Sequence, residues 1–307
     1  MQTAYISHPA CLKHDMGVDH PESPARLTAI EDQLIATNIL PFLQYHEAPR
    51  VTVEQLARVH TQDYIRSIEA VAPQQGMVNL DADTLMSPYT LEAALRAAGA
   101  VVLATDLVMT GQVENAFCNV RPPGHHATRN QSMGFCIFNN VAVGVAHAMA
   151  QYGLERVAIV DFDVHHGNGT EDIFRDDDRV MLCSTFQHPF YPYSGVDSGN
   201  EHIINVPLAA GTNGQGFRDA VSASWLPRLE LFKPQMIFIS AGFDAHRDDD
   251  MANLGLVETD YIWITQQIKT LANKHAQQRI VSTLEGGYAL RALGRSAAAH
   301  IRVLCDL

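Results

Sequence analysis

Four short apolar runs, each followed at once by a loop rich in His, Asp, Gly or Tyr, constrain this chain more than any other feature. The runs are Asn115–Val120, Arg156–Val160, Gln235–Ser240 and Arg279–Leu284. Each is bounded by turn or polar residues and predicts a strand buried on both faces. Helix patterns lie between them. In 87–109, Ser87 can cap, Pro88 suits the first turn, and Leu91, Ala94, Leu95, Ala98 and Val102 fall on one face. A second helix is predicted over Asn139–Tyr152, closed by Gly153. This alternation predicts an α/β fold, a parallel sheet with helices on its faces. No repeat, low-complexity tract or linker interrupts it, so one domain over 1–307 is expected.

Composition removes other classes. With 21 Lys+Arg against 34 Asp+Glu the net charge is −13, which argues against binding nucleic acid, where clustered basic residues meet phosphates. A chain 47% hydrophobic and 18% charged can bury a large core and is not disordered. The five cysteines are scattered and form no Cys-x-x-Cys pair, so reduced thiols in a cytoplasmic protein are expected. No secretory signal is read in the first residues, and the apolar stretch Ala97–Met109 is short and holds Asp106, so no membrane insertion is expected.

The chemistry-bearing residues follow the carboxyl ends of the predicted strands, where open parallel sheets bind ligands. They are Arg121-Pro122-Pro123-Gly124-His125-His126, then Asp161-Phe162-Asp163-Val164-His165-His166-Gly167-Asn168, then Ala241-Gly242-Phe243-Asp244-Ala245-His246, and finally Glu285-Gly286-Gly287-Tyr288. In extended backbone, side chains two apart share a face, so Asp163 and His165 can aim a carboxylate and an imidazole at one point. With Asp244 as third ligand they make a three-ligand site with an open position, the catalytic pattern for zinc. His125 and His126 can place imidazoles beside it, one to move protons. Asp161 can fix the tautomer of one imidazole. Tyr288, on a Gly-Gly turn, can bring a phenol to a developing oxyanion. Each also has a plain structural reading: capping carboxylates at a sheet end, surface histidines, a packing aromatic.

Taken together these segments resemble the zinc-dependent deacetylases of the histone deacetylase family. The resemblance runs from His20-Pro21-Glu22-Ser23-Pro24-Ala25-Arg26-Leu27 through the four loops and Gly134-Phe135-Cys136. It implies the arginase/deacetylase α/β fold: a single catalytic domain with a central, mostly parallel, eight-stranded sheet flanked by helices. It implies that Asp163, His165 and Asp244 hold zinc and that potassium binds backbone carbonyls near Asp161–His165; Asp/His donors also suit iron(II), the alternative occupant. By the same resemblance, His126 is the general base and acid, oriented by Asn168. His125, hydrogen-bonded to Asp161, stays charged, and Tyr288 stabilises the oxyanion. Asn168 rather than Asp resembles the class II-like enzymes, and Tyr288 rather than His implies real deacetylase activity.

The resemblance further implies an acyl-lysine tunnel. Phe135 forms one wall, and Tyr191, where Phe is usual, forms the other. The Gly134 carbonyl accepts the substrate amide hydrogen, Gly287 lies at the substrate site, and Arg26 lines an acetate channel. Asp83 aligns with a rim residue that accepts backbone hydrogen bonds from a peptide. Met251 falls where polyamine-selective relatives place a Glu gatekeeper. Beside it the run Asp248-Asp249-Asp250 is either a solvated loop or a substitute cation gate. The expected substrate is therefore acetylated lysine in a peptide or protein, and acetylpolyamine is the alternative. Gly167, two residues after His165, argues against the second metal of ureohydrolases. A protein that holds an acylated ligand without turnover is the remaining class. The His125–His126 loop is expected to face solvent, so replacing His126 should cost rate rather than stability.

Overall fold

The computed structural model describes residues 2–307. A strand lies in each of the four apolar runs, every residue of these strands is buried, and both faces of each are covered by helices, as continuous Val/Ile/Phe runs require. The strands are β1 (Thr3–Ser7), β2 (Leu43–Glu47), β3 (Val78–Asn79), β4 (Leu85–Met86), β5 (Asn115–Cys118), β6 (Val157–Asp161), β7 (Val180–Gln187), β8 (Ile203–Leu208), β9 (Met236–Ala241) and β10 (Ile280–Leu284). Eight of them form one sheet in the order β2-β1-β5-β10-β9-β6-β7-β8, and β3 and β4 make a separate antiparallel pair. Each neighbouring pair in the large sheet is parallel. The four strands singled out from sequence, β5, β10, β9 and β6, are consecutive at its centre. Their carboxyl ends therefore lie side by side.

Helices Thr90–Met109 and Asn140–Tyr152 pack on one face of the sheet and on each other. Ala25–Ala36, Gly214–Phe232, Glu258–His275 and Leu290–Leu304 cover the other. The Asn139 side chain accepts the Ala142 N–H, and Gly153 closes the same helix at φ 66°, as expected. Ser87 does not cap its helix. The helix begins at Thr90, and the Ser87 N–H instead donates to the Thr90 hydroxyl at 2.9 Å. The five cysteines are free. Among the described residues no helix is long and apolar enough to cross a membrane.

Candidate active site

Asp163, His165 and Asp244 come together at the ends of β6 and β9, all three buried, with one donor atom of each within 4.8 Å of the others. The reason differs from the one the spacing suggested. β6 stops at Asp161, and 162–167 is bent rather than extended. The segment folds on its own carboxylates: Asp161 Oδ1 accepts the Asp163 N–H at 3.1 Å, and Asp163 Oδ1 accepts the His165 N–H at 2.9 Å. His165 Nδ1 then faces Asp163 Oδ1 at 3.1 Å and Asp244 Oδ2 at 3.2 Å. The Val164 N–H holds Asp244 Oδ1 at 2.9 Å, and the Gly286 N–H holds Asp163 Oδ2 at 2.8 Å.

This donor set fits a divalent cation. Asp244 Oδ2 is buried and makes no well-formed hydrogen bond, an arrangement that costs free energy unless something else meets the oxygen. Two carboxylates and one imidazole, the rest of each carboxylate already tied down, are donors that both zinc and iron accept.

The two adjacent histidines are driven apart by their surroundings. His125 Nδ1 lies 2.9 Å from Asp161 Oδ2. Burial opposes its charge, yet Asp161, Asp163 and Glu285 outweigh burial and hold its pKa well above the usual imidazole value. For His126, burial and the neighbouring His125 and His165 push the pKa well below that value. His126 Nδ1 donates to Asn168 Oδ1 at 2.8 Å, which leaves Nε2 as the bare, proton-accepting nitrogen. Contrary to the expectation of a solvent-facing loop, His126 is only 4% exposed. Glu285 explains this, because its carboxylate accepts the N–H groups of Gly124 and His125 at 2.7 and 3.1 Å and draws the loop inward.

Beside the triad lies a cavity of about 220 Å³ lined by His126, His165, Tyr288, Phe135, Tyr191, Phe190, Gly134, Asp83 and Met251. The Tyr191 ring meets His126 edge-on at 5.3 Å, and Phe190 stacks on His165. Gly134 has φ 56°, and a Cβ there would come within 2.4 Å of the His126 ring, so only glycine lets this wall close on the imidazole. The Gly134 carbonyl accepts a weak bond from Cys136 Sγ. Burial outweighs the opposing charge of Arg26 and raises the Tyr288 pKa well above the usual phenol value, so the hydroxyl keeps its proton.

Several expected roles change. Gly287 does not line the cavity; it is buried behind it and gives its carbonyl to Arg26 Nε at 2.6 Å. Arg26 is fully buried, with its guanidinium donating to the Gly287 and Glu285 carbonyls and to Glu22, and its plane over the Tyr288 ring at 4.8 Å. These contacts brace Tyr288. Asp83 accepts from the Thr84 hydroxyl at 3.2 Å, and its own carbonyl meets His20. The Asp248–Asp250 run is neither a uniformly solvated loop nor a cation gate at the cavity: Asp248 pairs with Arg295, and Asp249 is buried against backbone amides. The supports the sequence left unassigned are Glu22, Arg121 and Glu285. Their only signal was position, Glu285 lying directly after β10 and Arg121 opening the loop that carries the histidine pair.

Comparisons with known proteins agree with one another. The histone deacetylase domain matches residues 20–304. A probable deacetylase of Archaeoglobus fulgidus is 37% identical over 298 residues, 94% of this chain and 82% of that protein. A histone deacetylase-like amidohydrolase of Pseudomonas aeruginosa is 37% identical over 277 residues, covering 88% of this chain and 73% of the relative. The crystal structure of the HDA15 HD domain superposes with a TM-score of 0.94 at 35% identity, over 99% of this chain and 88% of that one.

Proposed function

Since the chain belongs to the histone deacetylase family and is a hydrolase of the deacetylase type, we propose that it hydrolyses the acetyl amide of an acetylated lysine side chain to acetate and the free amine. Asp163, His165 and Asp244 would hold a divalent metal, usually zinc in this family. Such a metal supplies Lewis acidity, polarising a carbonyl and lowering the pKa of a bound water. Neutral His126, its bare Nε2 set by Asn168, takes a proton from the attacking water and returns it to the leaving amine. Charged His125 holds positive potential beside it, anchored on Asp161. The Tyr288 hydroxyl donates to the oxyanion, and Phe135 and Tyr191 enclose the apolar lysine stem. Potassium near Asp161–His165, and a single catalytic domain over 1–307, are proposed on the resemblance alone.

The observation that carries this reading is that His165 of the Asp163/His165/Asp244 triad lines one aromatic-walled cavity together with His126 and Tyr288. Acetyl-lysine is preferred to acetylpolyamine because the loop after Asp244 presents Met251 to the cavity while Asp248 and Asp249 turn to Arg295 and to backbone amides. Asp83 is the one carboxylate among the cavity-lining residues, so the alternative stays testable. The test is kcat/KM of the metal-loaded enzyme on an acetyl-lysine peptide against N-acetylputrescine and acetylspermidine. A preference of about a hundredfold for the peptide, about 2.7 kcal/mol, is expected, and the reverse preference would overturn the substrate choice. Peptide turnover abolished by chelation removes the non-catalytic alternative.

A further inference from the structure

The acidic run Asp248–Asp250 has no role in the chemistry above, yet its middle residue is built into the site. Asp249 is 5% exposed between two exposed neighbours. Its Oδ2 accepts the N–H groups of Tyr288 at 2.6 Å and Ala289 at 2.9 Å, and its Oδ1 accepts that of Met251 at 3.0 Å. One carboxylate thus ties the loop after β9 to the loop after β10. Bonds from N–H groups to an ionised acceptor are about twice as strong as neutral ones. Tyr288 and Ala289 directly precede the helix Leu290–Leu304, which has no side-chain cap of its own, so Asp249 meets donors that would otherwise be orphans.

The geometry points to Asp249 as a positioning residue for Tyr288, an inference that rests on the reading of Tyr288 as oxyanion donor. The phenol makes no hydrogen bond to another described residue. Its ring is held by Arg26 on its face and Phe135 at its edge, contacts that let a ring slide. The backbone before it turns through Gly287 at φ 122°, a left-handed conformation that glycine adopts readily. The peptide that sets where the ring starts is held from two sides: Arg26 Nε donates to the Gly287 carbonyl, and Asp249 accepts the Tyr288 N–H. The same carboxylate holds Met251 at the rim, so the place where substrate enters and the hydroxyl that meets its carbonyl share one anchor. Moving a catalytic group by about 1 Å costs up to a hundredfold in rate.

Asp249→Asn keeps the shape but turns an amide NH₂ toward backbone donors. The expected result is a fall of about tenfold to a hundredfold in kcat on an acetyl-lysine peptide, with KM changed little and metal content unchanged. The decisive measurement is the double variant: in a Tyr288→Phe background the Asp249→Asn change should cost nothing more. An equal loss in both backgrounds, or no loss in the wild-type background, would overturn the inference. If Tyr288→Phe alone leaves kcat unchanged while Asp249→Asn lowers it, the reading of Tyr288 fails and this inference falls with it. If Asp249→Asn does not fold, Asp249→Ser, which keeps one small acceptor, is taken through the same cycle, and additivity there overturns the inference equally.

Discussion

Glu22, Arg121 and Arg26 form one cluster of buried charge, with His14 against it; Asp161, Asp163, Asp244, Glu285 and the histidines beside them form another, and the two touch through Arg26. In the first, opposite charges face each other, and one pair is bidentate. Arg121 binds both oxygens of Glu22, and it also donates to the Cys11 and His14 carbonyls. Burial opposes the charge on Glu22, but Arg121, His14 and Arg26 hold its pKa well below the usual carboxylate value. In the second, acids crowd together. Burial and the Asp163 carboxylate push Asp244 up to about 7, and burial pushes Glu285 up to about 7 as well, against the charge of His125. In the first, guanidinium groups meet the Glu22 carboxylate from within; in the second, Asp244 Oδ2 lacks a well-formed partner, which a bound cation would supply. A fold can carry such a poorly compensated group of acids because a satisfied cluster next to it fixes the surrounding backbone.

The sharpest break of this contrast is His126→Ala. It should lower kcat by about a hundredfold to ten-thousandfold, and because the ring is buried it should also cost about 1–2 kcal/mol of stability. Steady-state rates beside urea melts of the same sample check both, and a rate within threefold of wild type would remove His126 as the base. Next comes Glu22→Gln, which strands Arg121 and Arg26 in the interior. It should destabilise by about 3–5 kcal/mol, read by urea unfolding. A loss below about 1 kcal/mol would show that the first cluster is not a structural brace.

The smallest effect is the pH dependence of stability. Glu22 has a depressed folded pKa, so its contribution is present above the ordinary 4.5 and is lost only as pH falls through the depressed value. His300 behaves differently: buried between the Thr265 and Ser282 hydroxyls, it is held neutral by burial with its pKa lowered to about 3. The unfolded chain takes up a proton near pH 6.5 that the folded chain refuses, so this stability is full above 6.5 and drains as pH falls toward 3. Unfolding free energy should fall by up to about 1.4 kcal/mol per pH unit between 6 and 4.5 from this group. His300→Gln should flatten that slope, and an unchanged slope would mean other histidines set it.

Much of the molecule is legible in its sequence. The four strands are where the apolar runs lie, within one or two residues at each end, because a strand covered on both faces must be apolar throughout. The helix Asn140–Tyr152 has its Asn cap and Gly stop. Ser87 misled because a hydroxyl before a helix can bond the first turn or the residue just beyond it, and here Thr90 offered the nearer partner. The solvent-facing reading of the histidine loop failed for a longer-range reason. The Glu285 carboxylate that pulls it inward lies 160 residues away in the chain.

What the sequence determined by itself is local: which segments are strands, which loops carry His, Asp and Tyr, and which family the pattern resembles. These follow from periodicity, turn chemistry and residue type, properties of near neighbours in the chain. The tertiary structure decided which loops meet. Strands β5, β10, β9 and β6 are adjacent in space but not in order, so Asp163, Asp244, His126 and Tyr288 share one site only because the sheet pairs them. It also decided that Asp249 differs from Asp248 and Asp250. Three identical side chains in a row have one local pattern between them, and only the backbone amides facing the middle one give it a separate role.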